Sequence, residues 1–527
     1  MMRIGSELSG RPGRSGLAKH GSIADHPVWP PASHPSSRGG DTRSKALVWP
    51  LTVLMIFTSF VFSGSAQAPA SSWKQTAAIK ASNKEDGDQF GFALALSRDG
   101  TTLAVGAPME SSAATGINGK QADESAYSSG AVYLYTRGTN GWTQQAYVKA
   151  SNTGANDQFG FAVALSADGN TLAVSAVYED SSARGINGNQ ADNSVAESGA
   201  VYVFTRSGNA WAQQAYIKAS NTGGEEDGDT FGYTVSLSGD GNTLAVGAPS
   251  EDSAATEING DQANNAAGGA GAAYVFVRSG NTWTQQAYVK SPTARANALF
   301  GYSVSLDNSG NTLAAGAFDE DGGKGAVHIF ARAGSTWSHQ ARLQASNAER
   351  QDSMGTWVTI SDDGNTMAAG SLDEDSLLTG IQPGIAAAAD QASDTSAGAA
   401  YVFTRTATAW SQQAFMKASN SGKEDWFGAH VALSGDGNTM VATAPNEDSS
   451  AKGIGGNQQD DSAQEAGAAY VFARTGTAWG PSLYFKGADN KQFDEFGSAV
   501  ALSRDGRIMA VGARFADKAG AVYIFSR

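Results

Sequence analysis

One pattern of about 70 residues recurs seven times between Trp73 and Arg527. Each copy combines a tryptophan-led segment, a Phe-Gly pair, a tight Gly-containing turn and a Gly-Ala-Val-Tyr-like segment. The copies begin at Trp73, Trp142, Trp211, Trp283, Trp337, Trp410 and Trp479. Units this short cannot each bury a core of their own, so a repeat of strand-like pieces predicts one cooperative radial or stacked array.

The second copy shows the predicted secondary structure of a unit. Residues 161–166 alternate small and apolar side chains, and Asp168-Gly169 gives a strong hairpin signal before the apolar run 172–176. Two further apolar segments, 200–206 and 212–220, flank a second turn. We therefore predict an all-β fold, a seven-bladed β-propeller of four-stranded antiparallel blades. A linear β-solenoid is the alternative, although its rungs are usually shorter.

The phase of the repeat predicts how the ring closes. The chain enters on the Trp73 segment and reaches Arg527 on a third-strand segment, residues 520–527. If each tryptophan strand is the outer strand of the preceding blade, the last blade lacks its own. Residues 73–82 would then fill that place and remove an exposed sheet edge.

Composition excludes several kinds of site. The chain has no cysteine, which rules out disulfides, thiolate metal sites and cysteine nucleophiles. Its formal net charge is −15. Nucleic-acid binding needs a basic surface, so we expect no nucleic-acid partner.

The N-terminal region predicts export. Residues 1–45 look like a disordered leader or an over-called start. Residues 46–68 combine an apolar run with a small-residue exit, as in a signal peptide cleaved near Gln67. The propeller would then occupy residues 69–527, with no membrane span in the mature chain, and the protein would be secreted, periplasmic or at the cell surface. An uncleaved anchor helix is the alternative.

Three motifs resemble a known family. The Phe-Gly pairs, the LAVGAP segments at 103–108 and 244–249, and GAVYVF at 199–204 resemble FG-GAP repeats. These repeats form the seven-bladed head of integrin α subunits and occur in many bacterial secreted proteins. The resemblance implies a propeller, but the integrin calcium hairpins do not carry over. The corresponding turns here offer one or two carboxylates each, too few for the six to eight oxygens that calcium takes.

Five blades share a long polar loop between the second and third strands. In the second copy this loop carries oxygen donors that predict a calcium site, at Glu179, Asp180, Asn187, Asn189 and Asp192. The alternative is that the loops form a packed edge of each blade. A Gly-Ile-Asn-Gly turn would then be pinned by its isoleucine, as at Ile117, Ile186 or Ile258.

No catalytic constellation is visible, so we expect no enzyme. His328, His339 and His430 are expected in different strand positions of different blades, each replacing a consensus residue. Trp357 and Trp426 depart from the repeat and are candidate ligand-face aromatics that would stack on a sugar or anchor a protein. Core packing is the alternative for both tryptophans.

The sequence as a whole favours an exported, integrin-like propeller that serves as a binding or scaffolding module of the adhesion type. Its ligand, a protein or a glycan, would lie on the face that carries the long loops. The alternative is a secreted propeller hydrolase or lyase acting on polysaccharide. A unique cluster of acid, base and aromatic residues at the channel mouth would favour the enzyme.

Overall fold

The computed structural model describes residues 72–222, 228–383 and 395–527. The predicted leader (1–45) and signal region (46–68) lie outside these residues. Ser71–Arg527 forms one compact unit, built from seven antiparallel sheets. The all-β, seven-bladed propeller predicted from the repeat is thus confirmed.

In blades one to four the strands follow chain order from the hub outwards. The first strand, β1 (Lys74–Ile79), belongs to blade seven. Blade one comprises β2 (Ala93–Leu96), β3 (Thr102–Ala107), β4 (Ala131–Gly138) and β5 (Gly141–Val148). Blade two comprises β6 (Phe159–Leu165), β7 (Thr171–Ala176), β8 (Ala200–Ser207) and β9 (Ala210–Ile217). Blade three comprises β10 (Thr234–Leu237), β11 (Thr243–Ala248), β12 (Ala272–Ser279) and β13 (Thr282–Val289).

Blade four repeats this order, whereas blades five to seven depart from it at their outer edges. Blade four comprises β14 (Val304–Leu306), β15 (Thr312–Ala317), β16 (Ala326–Ala333) and β17 (Thr336–Leu343). Blade five comprises β18 (Met354–Ile360), β19 (Thr366–Ser371), β20 (Ile381–Pro383), β21 (Ala399–Thr406) and β22 (Ala409–Met416). Blade six comprises β23 (Val431–Leu433), β24 (Thr439–Ala444), β25 (Ala468–Thr475), β26 (Ala478–Trp479) and β27 (Leu483–Phe485). Blade seven comprises β28 (Phe496–Leu502), β29 (Ile508–Ala513), β30 (Ala521–Ser526) and β1.

Ring closure follows the predicted route. Strand β1 pairs antiparallel with β30, from Lys74 opposite Ser526 to Ile79 opposite Val522. The innermost strand of each blade contacts those of both neighbours, including β28 with β2. The described propeller therefore closes on itself, with the start and the end of the repeat region sharing one sheet.

Close contact between blades explains two recurring glycines, one in the Phe-Gly pair and one in the second strand of the blade. Gly160, in the Phe-Gly pair of blade two, has φ +94°, which glycine tolerates best. A Cβ on Gly106, in the second strand of blade one, would lie 2.1 Å from the carbonyl oxygen of Gly160. The neighbouring Phe159 is buried and meets Tyr202 edge-on, with ring centroids 5.4 Å apart. Neighbouring blades therefore share core layers, and one buried cluster joins strands of blades one and two.

The turns that join the first strand to the second, and the third to the fourth, lie at one end of the blades and form the hairpin face. Polar contacts on this face link neighbouring blades. Arg206 of blade two stacks over Trp211 at 5.4 Å from the ring centroid. Its guanidinium reaches Thr102 and Gln145 of blade one at 3.3 and 3.2 Å. The indole nitrogen of Trp211 also donates to Gln145, at 2.9 Å. These contacts explain why tryptophan, glutamine and arginine recur in the repeat.

A closed ring of backbone hydrogen bonds surrounds the hub at the hairpin face. In the turn between the first and second strands of each blade, one residue donates its N–H to the carbonyl oxygen of its counterpart in the next blade. The donor–acceptor distances are 2.8–3.3 Å. The seven residues are Arg98, Ala167, Gly239, Asn308, Asp362, Gly435 and Arg504. Both Arg98 and Arg504 also bind Oδ2 of Asp362, at 2.8 and 2.6 Å. Blades one, five and seven are thereby braced together beside a cavity of about 570 Å³.

Blades four and seven lack the long loop and carry short turns instead. A helical turn, α1 (Glu320–Gly323), follows β15, and a 3₁₀ turn (Ala516–Lys518) follows β29. None of the helices in the described ranges is long and apolar enough to cross a membrane.

Candidate functional site

The face opposite the hairpin face, here called the long-loop face, collects the second-to-third-strand loops and the connections between blades. Each long loop begins with a glutamate that is buried although it carries a charge. In blade two, Oε2 of Glu179 lies 2.7 Å from Nζ of Lys218, with both side chains almost fully buried. The same pair recurs as Glu110–Lys149, Glu251–Lys290, Glu374–Lys417 and Glu447–Lys486.

Further hydrogen bonds fill the other oxygen of this glutamate and join two blades. The Tyr216 hydroxyl donates to Oε1 of Glu179 at 2.8 Å. The side-chain amide of Asn152, from the end of blade one, donates to the same oxygen at 2.9 Å. Burial lowers the pKa of Lys218, while the charge of Glu179 opposes that effect. The cluster therefore anchors the base of each long loop to its own outer strand and to the preceding blade.

The middle of the long loop covers the outer edge of its blade. In blade two, Ile186 forms a β-bridge with Ile217. Asn187 donates its N–H to the Tyr216 carbonyl at 2.7 Å, and its side-chain oxygen accepts the Tyr216 N–H at 3.0 Å. Asn187 adopts φ +56°, and blade six uses Gly455 there at φ +69°. The structure thus favours the packed-edge interpretation of the Gly-Ile-Asn segment, with isoleucine as the pin.

The five residues predicted to bind calcium all have partners within the protein. Two of them, Glu179 and Asn187, meet at Tyr216. The other three cap their own loop: Asp180 accepts the Glu197 N–H, Asn189 the Ala191 N–H, and Asp192 the Ser194 N–H and the Ser182 hydroxyl. Across the described ranges, no group of three or more His, Cys, Asp or Glu side chains is arranged to hold a metal ion. Calcium binding stays a prediction.

Trp357 and Trp426 both lie on the long-loop face. Trp357, near the start of β18, is 36% exposed. Its ring lies against His430, with ring centroids 4.3 Å apart. Trp426 is half-buried, with φ +59°. Their role in ligand binding stays a prediction, but Trp357 is available to solvent.

A buried polar group supports the Trp357 ring. Burial lowers the pKa of His430 to about 3, and the nearby charge of Arg514 adds to the shift. Arg514 in turn forms a buried ion pair with Glu495, at 2.7 Å.

On the other side of the hub, four aromatic rings follow one another at centroid distances of 4.6–5.2 Å, in the order Phe92, Phe161, Tyr233 and Tyr302.

Sequence reasoning missed three exposed apolar side chains on this face. Tyr127, Leu377 and Phe493 are 72%, 51% and 44% exposed. Tyr127 stands where other blades have Ala196 or Gly268, a departure from the repeat that could have signalled it. Phe493 adopts φ +65°, which costs an aromatic residue about 1 kcal/mol.

One expectation about the histidines was wrong. His328 and His339 lie in the same blade and touch, with Nδ1 of His328 at 3.1 Å from Nε2 of His339. They meet because β16 and β17 are adjacent and a bulge between Ile329 and Phe330 shifts the register. The sequence did offer one signal for this contact, because two consensus residues are replaced by histidine within one blade.

The comparisons with known proteins agree with this architecture. The model of the FG-GAP repeat matches residues 73–135, 142–204, 211–276, 283–330, 410–472 and 486–525. A search of curated proteins found no match. The span that contains most of blade five is unmatched, consistent with its Met354-Gly355 in place of Phe-Gly, although it folds as a blade. The matched repeats cover more than half of the chain, and this protein belongs to the FG-GAP repeat family.

Proposed function

We propose that this propeller is an exported binding or scaffolding module whose ligand, a protein or a glycan, binds the long-loop face. The observation that carries the proposal is the position of the exposed large apolar side chains. In the part of the chain that the structure describes, these are Tyr127, Trp357, Leu377 and Phe493, and all four belong to the long-loop face. Exposed aromatic side chains supply much of the binding energy of protein and sugar interfaces.

Charge separates the same two faces. Over the described ranges, the half of the blades next to the long-loop face carries 35 acidic and 18 basic residues. The half next to the hairpin face carries 8 acidic and 11 basic residues. The hairpin half contains Asp99, Asp168, Asp240, Asp307, Asp362, Asp363, Asp436 and Asp505, with Lys74, Arg98, Arg137, Arg206, Arg278, Arg332, Arg405, Arg474, Arg504, Arg507 and Arg527. A strongly acidic face favours a cationic or uncharged ligand surface and disfavours phosphate-rich partners.

The anchored loops also suit binding. Each long loop is held at its base by the buried Glu–Lys pair and along its middle by pairing with the outer strand, as at Glu179 and Ile186. Side chains held in place before binding lose less entropy when a ligand arrives. The long-loop face therefore offers a pre-ordered surface.

A secreted hydrolase or lyase is the second candidate, because Trp357, His430, Arg514 and Glu495 form a non-repeated group of aromatic, basic and acidic residues beside the hub. However, His430, Arg514 and Glu495 are only 6%, 3% and 5% exposed. General acid–base catalysis requires contact with the substrate. Their burial supports a role in holding Trp357 and favours binding over catalysis.

Export through residues 46–68 is part of the proposal and is tested first. Mass spectrometry of protein recovered from the producing cells should give an N-terminus near Gln67. Recovery of the intact chain, with Met1, in the membrane fraction would favour the anchor alternative.

The binding function is tested with glycan and protein arrays, with and without calcium. Trp357→Ala and Tyr127→Ala should each weaken capture of the ligand found, by about tenfold or more for a true anchor residue. Arg507→Ala, an exposed change on the hairpin face, is the matched control and should leave capture unchanged. Loss of capture in the control, with full capture by both aromatic variants, would move the site to the other face.

A further inference from the structure

Blade four contains a pair of histidines that no other blade has. Nδ1 of His328 faces Nε2 of His339 at 3.1 Å, and the ring centroids are 5.3 Å apart. His328 is buried in β16, whereas His339 is exposed on the outer strand β17. The position of His328 is tyrosine in the other six blades, at Tyr133, Tyr202, Tyr274, Tyr401, Tyr470 and Tyr523.

The partners of His328 determine which of its nitrogens carries the proton. Nε2 lies 2.8 Å from Oε2 of Glu320 and 3.3 Å from the Ser291 hydroxyl. The other oxygen of Glu320 accepts from Nε of Arg342 at 2.6 Å. Glu320 is therefore placed as an acceptor, and Nε2 of His328 donates to it. In the neutral ring this leaves the lone pair on Nδ1, aimed at His339.

The nitrogen–nitrogen distance of this hydrogen-bonded pair also suits two ligands of one metal ion, which would replace the proton between them. Two nitrogen ligands with metal–nitrogen bonds of about 2.0–2.1 Å lie roughly 3 Å apart when they bind one ion side by side. A carboxylate that holds the far nitrogen of a ligating histidine is the usual support for such a ligand, and Glu320 supplies it. Arg342 offsets the charge of Glu320 and Asp321, at 2.6 Å from each.

The short turn of blade four leaves this pair accessible. In blade two the Gly-Ile-Asn segment covers the outer strand, whereas blade four has only α1 between β15 and β16. In the described part of the chain, β17 is the last strand of its sheet. An ion can therefore approach from solvent through the exposed His339.

We propose that His328 and His339 form a two-imidazole binding site for a late first-row divalent metal ion. The described residues offer no third His, Cys, Asp or Glu ligand around the same position, so water completes the coordination. Imidazole ligands suit copper, nickel and zinc, and affinity should follow the usual order with Cu²⁺ the tightest. The site uses none of the exposed apolar side chains of the proposed binding surface and none of the predicted calcium ligands.

The test is Cu²⁺ titration of the untagged full chain by calorimetry, with electron paramagnetic resonance of the bound ion. We expect a site with two nitrogen ligands whose affinity falls by about tenfold or more in His339→Gln. Glutamine is the residue of most other blades here, so this variant should keep the fold, which its melting temperature checks. His20, His26 and His34 are present in both proteins, so any copper that they bind cancels in the comparison.

A second variant separates support from ligation. Glu320→Gln keeps both imidazoles but weakens the orienting hydrogen bond, and should lower Cu²⁺ affinity by about 10–100-fold while two nitrogens remain in the spectrum. Equal Cu²⁺ affinity in the parent chain and His339→Gln would overturn the proposal. No uptake by the parent chain would also overturn it and would mean that the gap holds only a proton.

Discussion

The buried Glu179–Lys218 pair allows a quantitative test of how the long loops are anchored. The variant Lys218→Met keeps the length of the side chain but removes the only cation within hydrogen-bonding reach of Glu179 in the described structure. Glu179 would then stay buried with only neutral donors, namely the Tyr216 hydroxyl, the Asn152 side-chain amide and the Ser181 N–H. Removing one partner of a buried ion pair typically costs about 3–5 kcal/mol, and we expect a loss of that size.

The loss translates into a modest shift in melting temperature because the ring is large. Unfolding entropy is about 2.1 cal/mol/K per residue, or roughly 1 kcal/mol/K for a propeller of this length. Lys218→Met should therefore lower the melting temperature by about 3–5 °C. Calorimetry or circular dichroism measures this shift.

A double-mutant cycle decides the cause of the shift. Glu179→Gln combined with Lys218→Met removes both charges, and should recover more than half of the loss because no unpaired charge remains buried. Lys84→Met, at an exposed lysine on the same face, should change stability little. Equal losses in the single and double variants would refute the ion-pair explanation and point to packing alone.

Four further outcomes test other parts of the structure. Deleting residues 67–83 removes β1 and should lower the melting temperature of the whole ring; unchanged melting would contradict closure. Asp362→Asn should lower the melting temperature by a smaller amount than Lys218→Met, because the two arginine pairs that it weakens are partly exposed; a larger loss would show that the brace dominates hub stability. If the long loops bind calcium, melting should rise with free calcium, and Asp180→Ala with Asp192→Ala should reduce that rise; indifference to calcium and chelator would leave the loops as packing alone. Burial raises the pKa of four aspartates from 3.8 to about 7, namely Asp88, Asp157, Asp229 and Asp425. The folded state then holds these protons more tightly than the unfolded state, so their contribution to stability falls as pH rises from about 4 through 7. The fall should be smaller in Asp157→Asn, and an identical pH profile would argue against burial as the cause.

The sequence was sufficient for the architecture because the signals for it are local. Alternating apolar residues and tight turns mark each strand, and the phase of the repeat indicates which strand closes the ring. The isoleucine pin was also anticipated, as an alternative for the long loops.

The chemistry of the loops was harder to predict because it depends on distant partners. Glu179 looks like a metal ligand beside Asp180, but its counter-ion, Lys218, lies 39 residues further along the chain. His328 and His339 were assigned to separate blades, although the two strands are adjacent and a bulge brings the rings together. Tyr127 and Phe493 gave only the weak signal of a departure from the repeat.

The pairing of β1 with β30 has a consequence for the order of folding. Among the described strands, β1 is synthesised first and β30 last, so blade seven cannot be completed until the whole repeat region has been made. Until then β1 has no sheet to join, and the growing array presents open strand edges. The complete ring therefore has to form after synthesis of its last strand, and chains truncated before β30 should be selectively degraded.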